Sequence, residues 1–183
     1  MGFYYFDYTY FIYMLPALLL SMFAQYKVKS TFQKYSRVMP ARPLTGRDAA
    51  EAVLRFGSVR GVSVRAISGS LTDHFDPRTQ VISLSSPVYG VSSISAVGVA
   101  AHEAGHAIQH SVGYLPNKIR SFLVPITNLG SSLSMPLIFI GLLLPVQYDL
   151  VVWIGIGLYS LKVLFQLVTL PVESNASARA LRA

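Results

Sequence analysis

Two long apolar stretches stand out from the pattern of hydrophobic and polar positions along the chain. The first, YFIYMLPALLLSMFAQY (Tyr10–Tyr26), is long enough to cross a bilayer at about 1.5 Å per helical residue. It predicts an N-terminal transmembrane helix within residues 1–26. The second occupies residues 121–172, which is too long for one crossing, and polar residues and a proline interrupt it at 145–149. It predicts two further transmembrane helices joined by that turn.

Residues 27–120 carry shorter patterns that are typical of a folded domain. Thr45, followed by an aspartate three residues later, predicts a capping box at the start of a short helix. VSVRAI (62–67) and QVISLS (80–85) alternate with the period of strands and predict a small β-hairpin with a long loop. From about residue 92 to 112, apolar positions recur at three- and four-residue steps, which predicts another helix.

Composition and charge agree with a membrane protein. Of the 183 residues, 52% are hydrophobic and 13% are charged, against roughly 25% charged residues in soluble domains. Lys and Arg are absent from residues 1–26 and, apart from Lys162, from residues 121–178. The positive-inside rule therefore places residues 27–120 and 173–183 in the cytoplasm and the turn at 145–149 outside. Topology accounts for the net charge of +7, so we expect the lipid bilayer, and no nucleic acid, as a partner.

The segment VAAHEAGHAIQH, within the predicted helix at 92–112, carries the strongest chemical signal. Residues four apart project from the same helix face, so His102 and His106 can offer two imidazole nitrogens to one zinc ion. Glu103 lies one step round the helix, where it can act as a general base on a water molecule at the metal. This is how metal-dependent hydrolases use an H-E-x-x-H motif. His110 lies too far along the helix to join the same ion.

A catalytic zinc ion usually needs a third protein ligand and one open position for water. The chain contains no cysteine, so the candidates are His74, Glu51 and Glu173. Two membrane crossings after His106 return the chain to the same side of the bilayer, which favours Glu173. Alternatively, Glu173 only marks the end of a membrane helix.

Five ordered blocks of the sequence resemble those of the bacterial YugP-like neutral zinc metallopeptidases. This family of membrane proteins is distantly similar to the HtpX and Ste24 peptidases. The resemblance covers nearly the whole chain and rests on AQYKVKSTFQKYS, LTGRDAA, LTDHFDPRTQVISLS, GVAAHEAGHAIQH and LFQLVTLPVESNASARAL.

The resemblance implies one Zn²⁺ bound by His102, His106 and Glu173, with Glu103 as the general base of peptide-bond hydrolysis. It also suggests that Asn175, in the polar stretch after Glu173, orients a ligand histidine. The implied protein is a mainly α, multi-pass protein of the bacterial plasma membrane with a zincin-like cytoplasmic domain. Its expected function is that of a zinc-dependent endopeptidase acting on peptide or protein substrates. The third ligand would lie in a cytoplasmic tail, residues 173–183.

The LTDHFDP block has two interpretations. His74, Asp76 and the neighbouring Asp73 can border the substrate cleft, or the two aspartates can simply close a turn, which is ordinary Asp-Pro chemistry. Two departures from the family pattern also matter. Ser174 replaces an aromatic residue, and the chain stops at Ala183, where relatives continue with a further hydrophobic segment. These departures motivate an alternative function, a non-catalytic membrane scaffold or adaptor that zinc stabilises.

Overall fold

The computed structural model describes residues 8–145 and 148–183. Residues 1–7, at the start of the predicted N-terminal region 1–26, and residues 146–147 of the turn lie outside the described part. Within it, the elements in chain order are α1 (Tyr8–Tyr35), α2 (Gly46–Phe56), β1 (Ser63–Ile67), β2 (His74–Asp76), β3 (Val81–Ser85), α3 (Ser86–Tyr89), α4 (Ile94–Ser111), α5 (Leu115–Leu143) and α6 (Leu150–Ala180). The chain is mainly helical, with one small sheet, as the sequence patterns predicted.

Helices α2 and α4 begin where their capping residues predict. The Thr45 hydroxyl accepts a hydrogen bond from the Asp48 backbone amide, and the Asp48 carboxylate accepts one from the Thr45 amide. These reciprocal bonds satisfy two amides that would otherwise lack partners at the helix start. The Ser93 side chain caps α4 by accepting a hydrogen bond from Ala96 N. The predicted helix over 92–112 is therefore confirmed, with bounds one or two residues inside the prediction.

The small sheet differs from the hairpin that the sequence predicted. Strands β1 and β3 pair in parallel, with Ser63 opposite Val81, so residues 62–67 and 80–85 are not the two arms of a hairpin. The connecting segment is long enough to carry the chain back before β3 starts, and it contributes β2 on the way. Strand β2 pairs antiparallel with β3, which gives the strand order β1-β3-β2. Alternation identifies strands but carries no information about the direction of pairing.

The hydrophobic core of the domain lies between the sheet, α2 and α4. Strand β3 is central, and its Ile82 and Leu84 are fully buried. Alanines occupy the face of α4 that packs inward, and fully or almost fully buried members are Ala96, Ala100, Ala104 and Ala107. Small side chains allow neighbouring elements to approach α4 closely, because interiors are packed without voids. The H-E-x-x-H motif therefore lies on a helix that the core holds on one side.

Helices α5 and α6 form an antiparallel pair of long apolar rods. Within the described residues, these two helices have the length and composition of membrane-spanning segments. Glycines allow them to approach each other: a side chain at Gly141 would collide with Val152, and one at Gly155 with Ile138 and the Ser134 carbonyl oxygen. Most of their Leu, Ile, Val and Phe side chains point outward and remain exposed. Helix α1 is not one of the two, so the first crossing stays a prediction.

Three predicted boundaries move because the helices continue further than the apolar stretches. Helix α1 extends beyond residue 26 to Tyr35, and α5 starts at Leu115, ahead of its apolar stretch. Helix α6 continues to Ala180, so Glu173 lies inside a helix and not in a separate tail. Hydrophobicity marks where a helix can be in lipid, whereas backbone hydrogen bonding continues until a cap or breaker ends it.

Candidate metal centre

His102 and His106 lie on successive turns of α4 and direct their Nε2 atoms toward the same carboxylate. Their rings are 4.7 Å apart in an edge-to-face arrangement. The Nε2 atoms of His102 and His106 lie 3.1 Å and 3.3 Å from Oε2 of Glu173. Glu173 comes from α6, more than sixty residues further along the chain. The structure thus brings together two imidazoles from one helix and a carboxylate from another.

The close approach of α6 to α4 depends on Gly105, between the two histidines. A Cβ atom at this position would lie 2.4 Å from the Ala176 carbonyl oxygen, so any side chain would push α6 away. Val172 and Ala176, one turn apart on α6, are fully buried at this contact. Glu173 follows directly after Val172 and is carried to the histidines by this packing.

The three side chains fit a zinc ion. Their candidate ligand atoms, two imidazole nitrogens and one carboxylate oxygen, all lie within 4.8 Å of one another. Zinc bonds of about 2.0–2.2 Å in tetrahedral geometry require ligand atoms roughly 3.3 Å apart. The two measured distances to Glu173, 3.1 and 3.3 Å, are close to that value. A three-ligand site of this type also leaves a fourth position for water.

Gln109 fixes the orientation of His106, a contact that the sequence analysis missed. Its side-chain amide donates hydrogen bonds to the Val172 carbonyl oxygen at 2.7 Å and to Asn175 Oδ1 at 3.0 Å. Its Oε1 therefore accepts from His106 Nδ1, 3.0 Å away, which leaves His106 Nε2 free to bind a metal. Gln109 is fully buried. The available signal was a polar residue one turn after His106 on an otherwise apolar helix face.

Asn175 reaches the ligand histidine only through Gln109. Its Oδ1 accepts hydrogen bonds from Gln109 and, at 2.8 Å, from Arg179 Nε. The direct contact to the other histidine comes from Ser177, whose Oγ lies 3.0 Å from His102 Nδ1. Both histidines thus have their second ring nitrogen occupied by a polar partner, as metal-binding histidines usually do.

Glu103 lines a cavity of about 230 Å³ together with His102, His106 and Glu173. Burial raises the pKa of the Glu103 carboxyl group above its ordinary value, although the two neighbouring histidines act in the opposite direction. Burial also lowers the pKa of His106, but the hydrogen bond to Glu173 and the charge of Glu103 outweigh it, so the net shift is upward. Glu103 therefore sits where a proton acceptor with a raised pKa would face the metal position.

The LTDHFDP block is divided between the cavity and a turn. Asp73 and His74 line the cavity, and Asp73 also accepts hydrogen bonds from the backbone amide and hydroxyl of Ser85. Asp76 is not a lining residue: it accepts hydrogen bonds from Arg78 N and Thr79 Oγ1 and so closes the turn before β3. The cleft interpretation therefore fits His74 and Asp73, and the turn interpretation fits Asp76.

The remaining polar candidates lie elsewhere. Glu51 forms ion pairs with Arg47 and Arg55 along α2. His110 is exposed, with its ring 5.9 Å from that of Phe75. By contrast, Arg120 of α5 does line the cavity of the candidate metal centre, and its buried Nε has no hydrogen-bond partner among the described residues.

Comparison with known proteins gives two consistent results. Residues 10–183 match the model of a family described as "Putative neutral zinc metallopeptidase". The chain is 46% identical over 166 residues to the "Putative membrane protease YugP" of Bacillus subtilis (strain 168), covering 91% of this chain and 73% of that protein. No solved structure shows significant similarity. The family implies zinc, and His102, His106 and Glu173 are residues that could bind it. The match over nearly the whole length shows that this chain belongs to the neutral zinc metallopeptidase family.

Proposed function

We propose that the protein is a membrane-embedded, zinc-dependent endopeptidase whose site faces the cytoplasm. The observation that carries this proposal is the convergence of His102, His106 and Glu173 beside Glu103 in one cavity. Two nitrogens and one oxygen form a three-ligand set that is typical of catalytic zinc, with room for water. The family and its membrane-protease relative support the same reaction class.

Each residue of the site has a definite task in this reaction. Zinc, when bound, supplies a Lewis acid that polarises the scissile carbonyl group and acidifies water. Glu103 takes the proton from the attacking water and later passes it to the leaving amine. Burial raises the pKa of its carboxyl group, which makes the carboxylate a better proton acceptor than an exposed one. Gln109 keeps His106 in the tautomer with a free Nε2.

The charges flanking the two apolar helices support the cytoplasmic location. Because α5 and α6 are antiparallel, the start of α5 and the end of α6 lie on one side of the bilayer, beside α4. Lys118 and Arg120 lie near that end of α5, and Arg179 and Arg182 near that end of α6. By the positive-inside rule this side is the cytoplasm of a bacterial plasma membrane. In this proposal α1 is a third spanning helix, since its apolar side chains are exposed and Lys27 and Lys29 follow the apolar part.

The decisive experiment separates zinc binding from catalysis. Glu103→Gln in the detergent-purified, zinc-loaded protein should retain one zinc per chain and lose at least about 100-fold in cleavage of an unfolded protein such as reduced casein. Glu51→Gln is the matched control, because this glutamate pairs only with exposed arginines on α2. It should cleave at the wild-type rate. Full activity in Glu103→Gln would refute the role of Glu103.

Glu173→Ala tests the third ligand in parallel. Loss of one of three ligands should lower zinc affinity far more than Glu103→Gln does, as measured by metal content after dialysis against a weak chelator. If Glu173→Ala and Glu103→Gln retain equal amounts of zinc, the third ligand is a residue other than Glu173. If wild-type protein holds zinc and cleaves no unfolded substrate, the non-catalytic scaffold is the better description of its function.

A further inference from the structure

Three neighbouring cavities follow one another along α4, and of these three the cavity of about 230 Å³ is lined by all three proposed zinc ligands. The first, of about 450 Å³, lies between α1 and the start of α4, and its wall is almost entirely apolar. The second, of about 420 Å³, shares Leu71, Gly98 and Val99 with the first. It also shares His102 and Glu103 with the metal cavity. We call the first two together the α1–α4 groove; it leads from the end of α1 to the catalytic glutamate.

A single face of α4 forms the floor of the groove and of the metal cavity. Ile94, Gly98, His102 and His106 are spaced four residues apart and therefore form a stripe along the helix that turns by about 40° at each step. From Ile94 to Glu103, the α4 residues that line the two cavities of the groove, the helix rises about 14 Å. An extended polypeptide covers that length with about four residues at roughly 3.3 Å each. The groove thus has the length of a short peptide segment on one side of a cleaved bond.

Fixed contacts hold the outer wall of the groove in place. Phe32 of α1 lines the first cavity and also packs against the hydrophobic core of the domain. The Val38 carbonyl oxygen, just after α1, accepts a hydrogen bond from Ile94 N at 2.9 Å. These contacts tie the end of α1 to the first turn of α4, so the first cavity is bounded on both sides by anchored helices.

Leu71 marks the junction between the apolar and polar parts of the groove. It lines both the first and second cavities, and 52% of its surface is exposed. Its φ of 58° lies in the left-handed region, which a leucine rarely adopts. Backbone strain of this kind is concentrated at ligand-binding and active sites. A large apolar side chain is thus held, at a conformational cost, beside the path to Glu103.

We propose that the α1–α4 groove binds large apolar side chains of an extended polypeptide substrate, on one side of the scissile bond. This inference rests on the proposed endopeptidase function. A polypeptide fits the groove because its occupant must be apolar between α1 and α4 and polar where Asp73, Glu103 and Ser177 line the second cavity. A peptide combines apolar side chains with a polar backbone. Lys27, where the first predicted crossing meets the cytoplasm, lines the first cavity, so the substrate would enter near the membrane surface.

Gly98 allows the groove to be filled without disturbing the fold. A Cβ atom added at Gly98 meets nothing within 4 Å, and the residue lies within α4 with ordinary helical geometry. Gly98→Leu should therefore fold, bind zinc and occupy the groove. Gly157→Leu is the matched control, because Gly157 is also helical and open, but lies on α6 away from the groove.

The experiment compares cleavage sites in reduced casein by mass spectrometry, with zinc-loaded wild type, Gly98→Leu and Gly157→Leu in detergent. Wild type and Gly157→Leu should show a strong enrichment of Leu, Ile, Phe or Met two to four residues from the cleaved bond, on one side only. Gly98→Leu should lose that enrichment. For a synthetic peptide that carries Phe at the enriched position, the kcat/KM of Gly98→Leu should be at least tenfold lower than that of wild type, mainly because KM rises. Leu71→Asn, which tolerates the left-handed backbone, should weaken the same preference.

Each result decides between the alternatives. Wild type that cleaves casein without an apolar preference, or an unchanged preference in Gly98→Leu, would overturn the groove assignment and leave the endopeptidase function standing. A phospholipid retained by wild type in native mass spectrometry and lost from Gly98→Leu, with equal peptide preference in both, would show an acyl chain as the occupant and also overturn it. Zinc-loaded wild type without any cleavage would refute the endopeptidase function itself, and the substrate groove with it.

Discussion

The two ends of α6 are packed in different ways, although they belong to one continuous helix. Toward Leu150, the helix packs against α5 at Gly155, and its large apolar side chains are exposed: Trp153, for example, is 64% exposed. Toward Ala180, Val172 and Ala176 are fully buried against α4, and Glu173 beside them faces two histidines. One helix therefore combines an exposed apolar end, with the composition of a membrane-spanning segment, and an end that packs at the candidate metal centre.

The difference shows what small residues do in each setting. In lipid, close helix approach gains van der Waals contact, because the hydrophobic effect does not favour apolar burial there. At the metal end, the approach at Gly105 positions one carboxylate with respect to two imidazoles, and buried polar groups around it need partners. Gln109 and Asn175 provide those partners. We therefore expect the Leu150 end of α6, which we call the membrane end, to tolerate small shifts that the end at Glu173, which we call the metal end, does not.

The largest effect is expected from breaking the contact at Gly105. Gly105→Val places its side chain against the Ala176 backbone, which is 2.4 Å from an ideal Cβ, so α6 must shift away from α4. Overpacking of this kind costs about 1–3 kcal/mol, and it moves Glu173 away from the histidines. We expect loss of zinc and of peptide cleavage, measured by metal analysis and casein digestion. Gly157→Val, at an open position on α6, is the control and should keep both.

A smaller effect is expected when the packing of α4 against α6 is kept and only the hydrogen bonds of Gln109 are removed. Gln109→Leu preserves volume but leaves His106 Nδ1 and the Val172 carbonyl oxygen without their partner. Loss of such outer contacts typically lowers metal affinity by about 10–100-fold. Zinc titration in competition with a chromogenic chelator measures this change. Unchanged zinc affinity in Gln109→Leu would contradict the assigned role of Gln109 in orienting His106.

The smallest effect on the metal is expected at the membrane end. Gly155→Val meets Ile138 and the Ser134 carbonyl oxygen on α5, so the two helices must separate locally. The thermal midpoint in detergent should fall, whereas zinc affinity should stay within about threefold of wild type, because distant sites act almost independently. A loss of zinc as large as that of Gly105→Val would show that the two ends of α6 are coupled and do not act independently.

Sequence patterns were most informative where a local rule governs the structure. The capping box at Thr45, the helix over His102 and His106, and the apolar character of α5 and α6 all depend on nearby residues. The predicted hairpin of residues 62–67 and 80–85 was wrong, because the direction of a strand depends on where the connecting segment takes the chain. Glu173 was favoured by counting membrane crossings, which is topological reasoning. Gln109 was missed because the two groups that hold its side-chain amide in place, Val172 O and Asn175 Oδ1, come from α6.

The sequence by itself determined which chemistry is available: two histidines one turn apart, a neighbouring glutamate, no cysteine, and apolar segments suited to lipid. Side-chain identity and helical spacing suffice for those statements. Only the tertiary structure decided that Gly105 brings α6 within reach of α4, that Gln109 orients His106, and that a groove leads from α1 to Glu103. These features depend on contacts between residues far apart in the chain, and packing decides such contacts where local patterns carry no information about them.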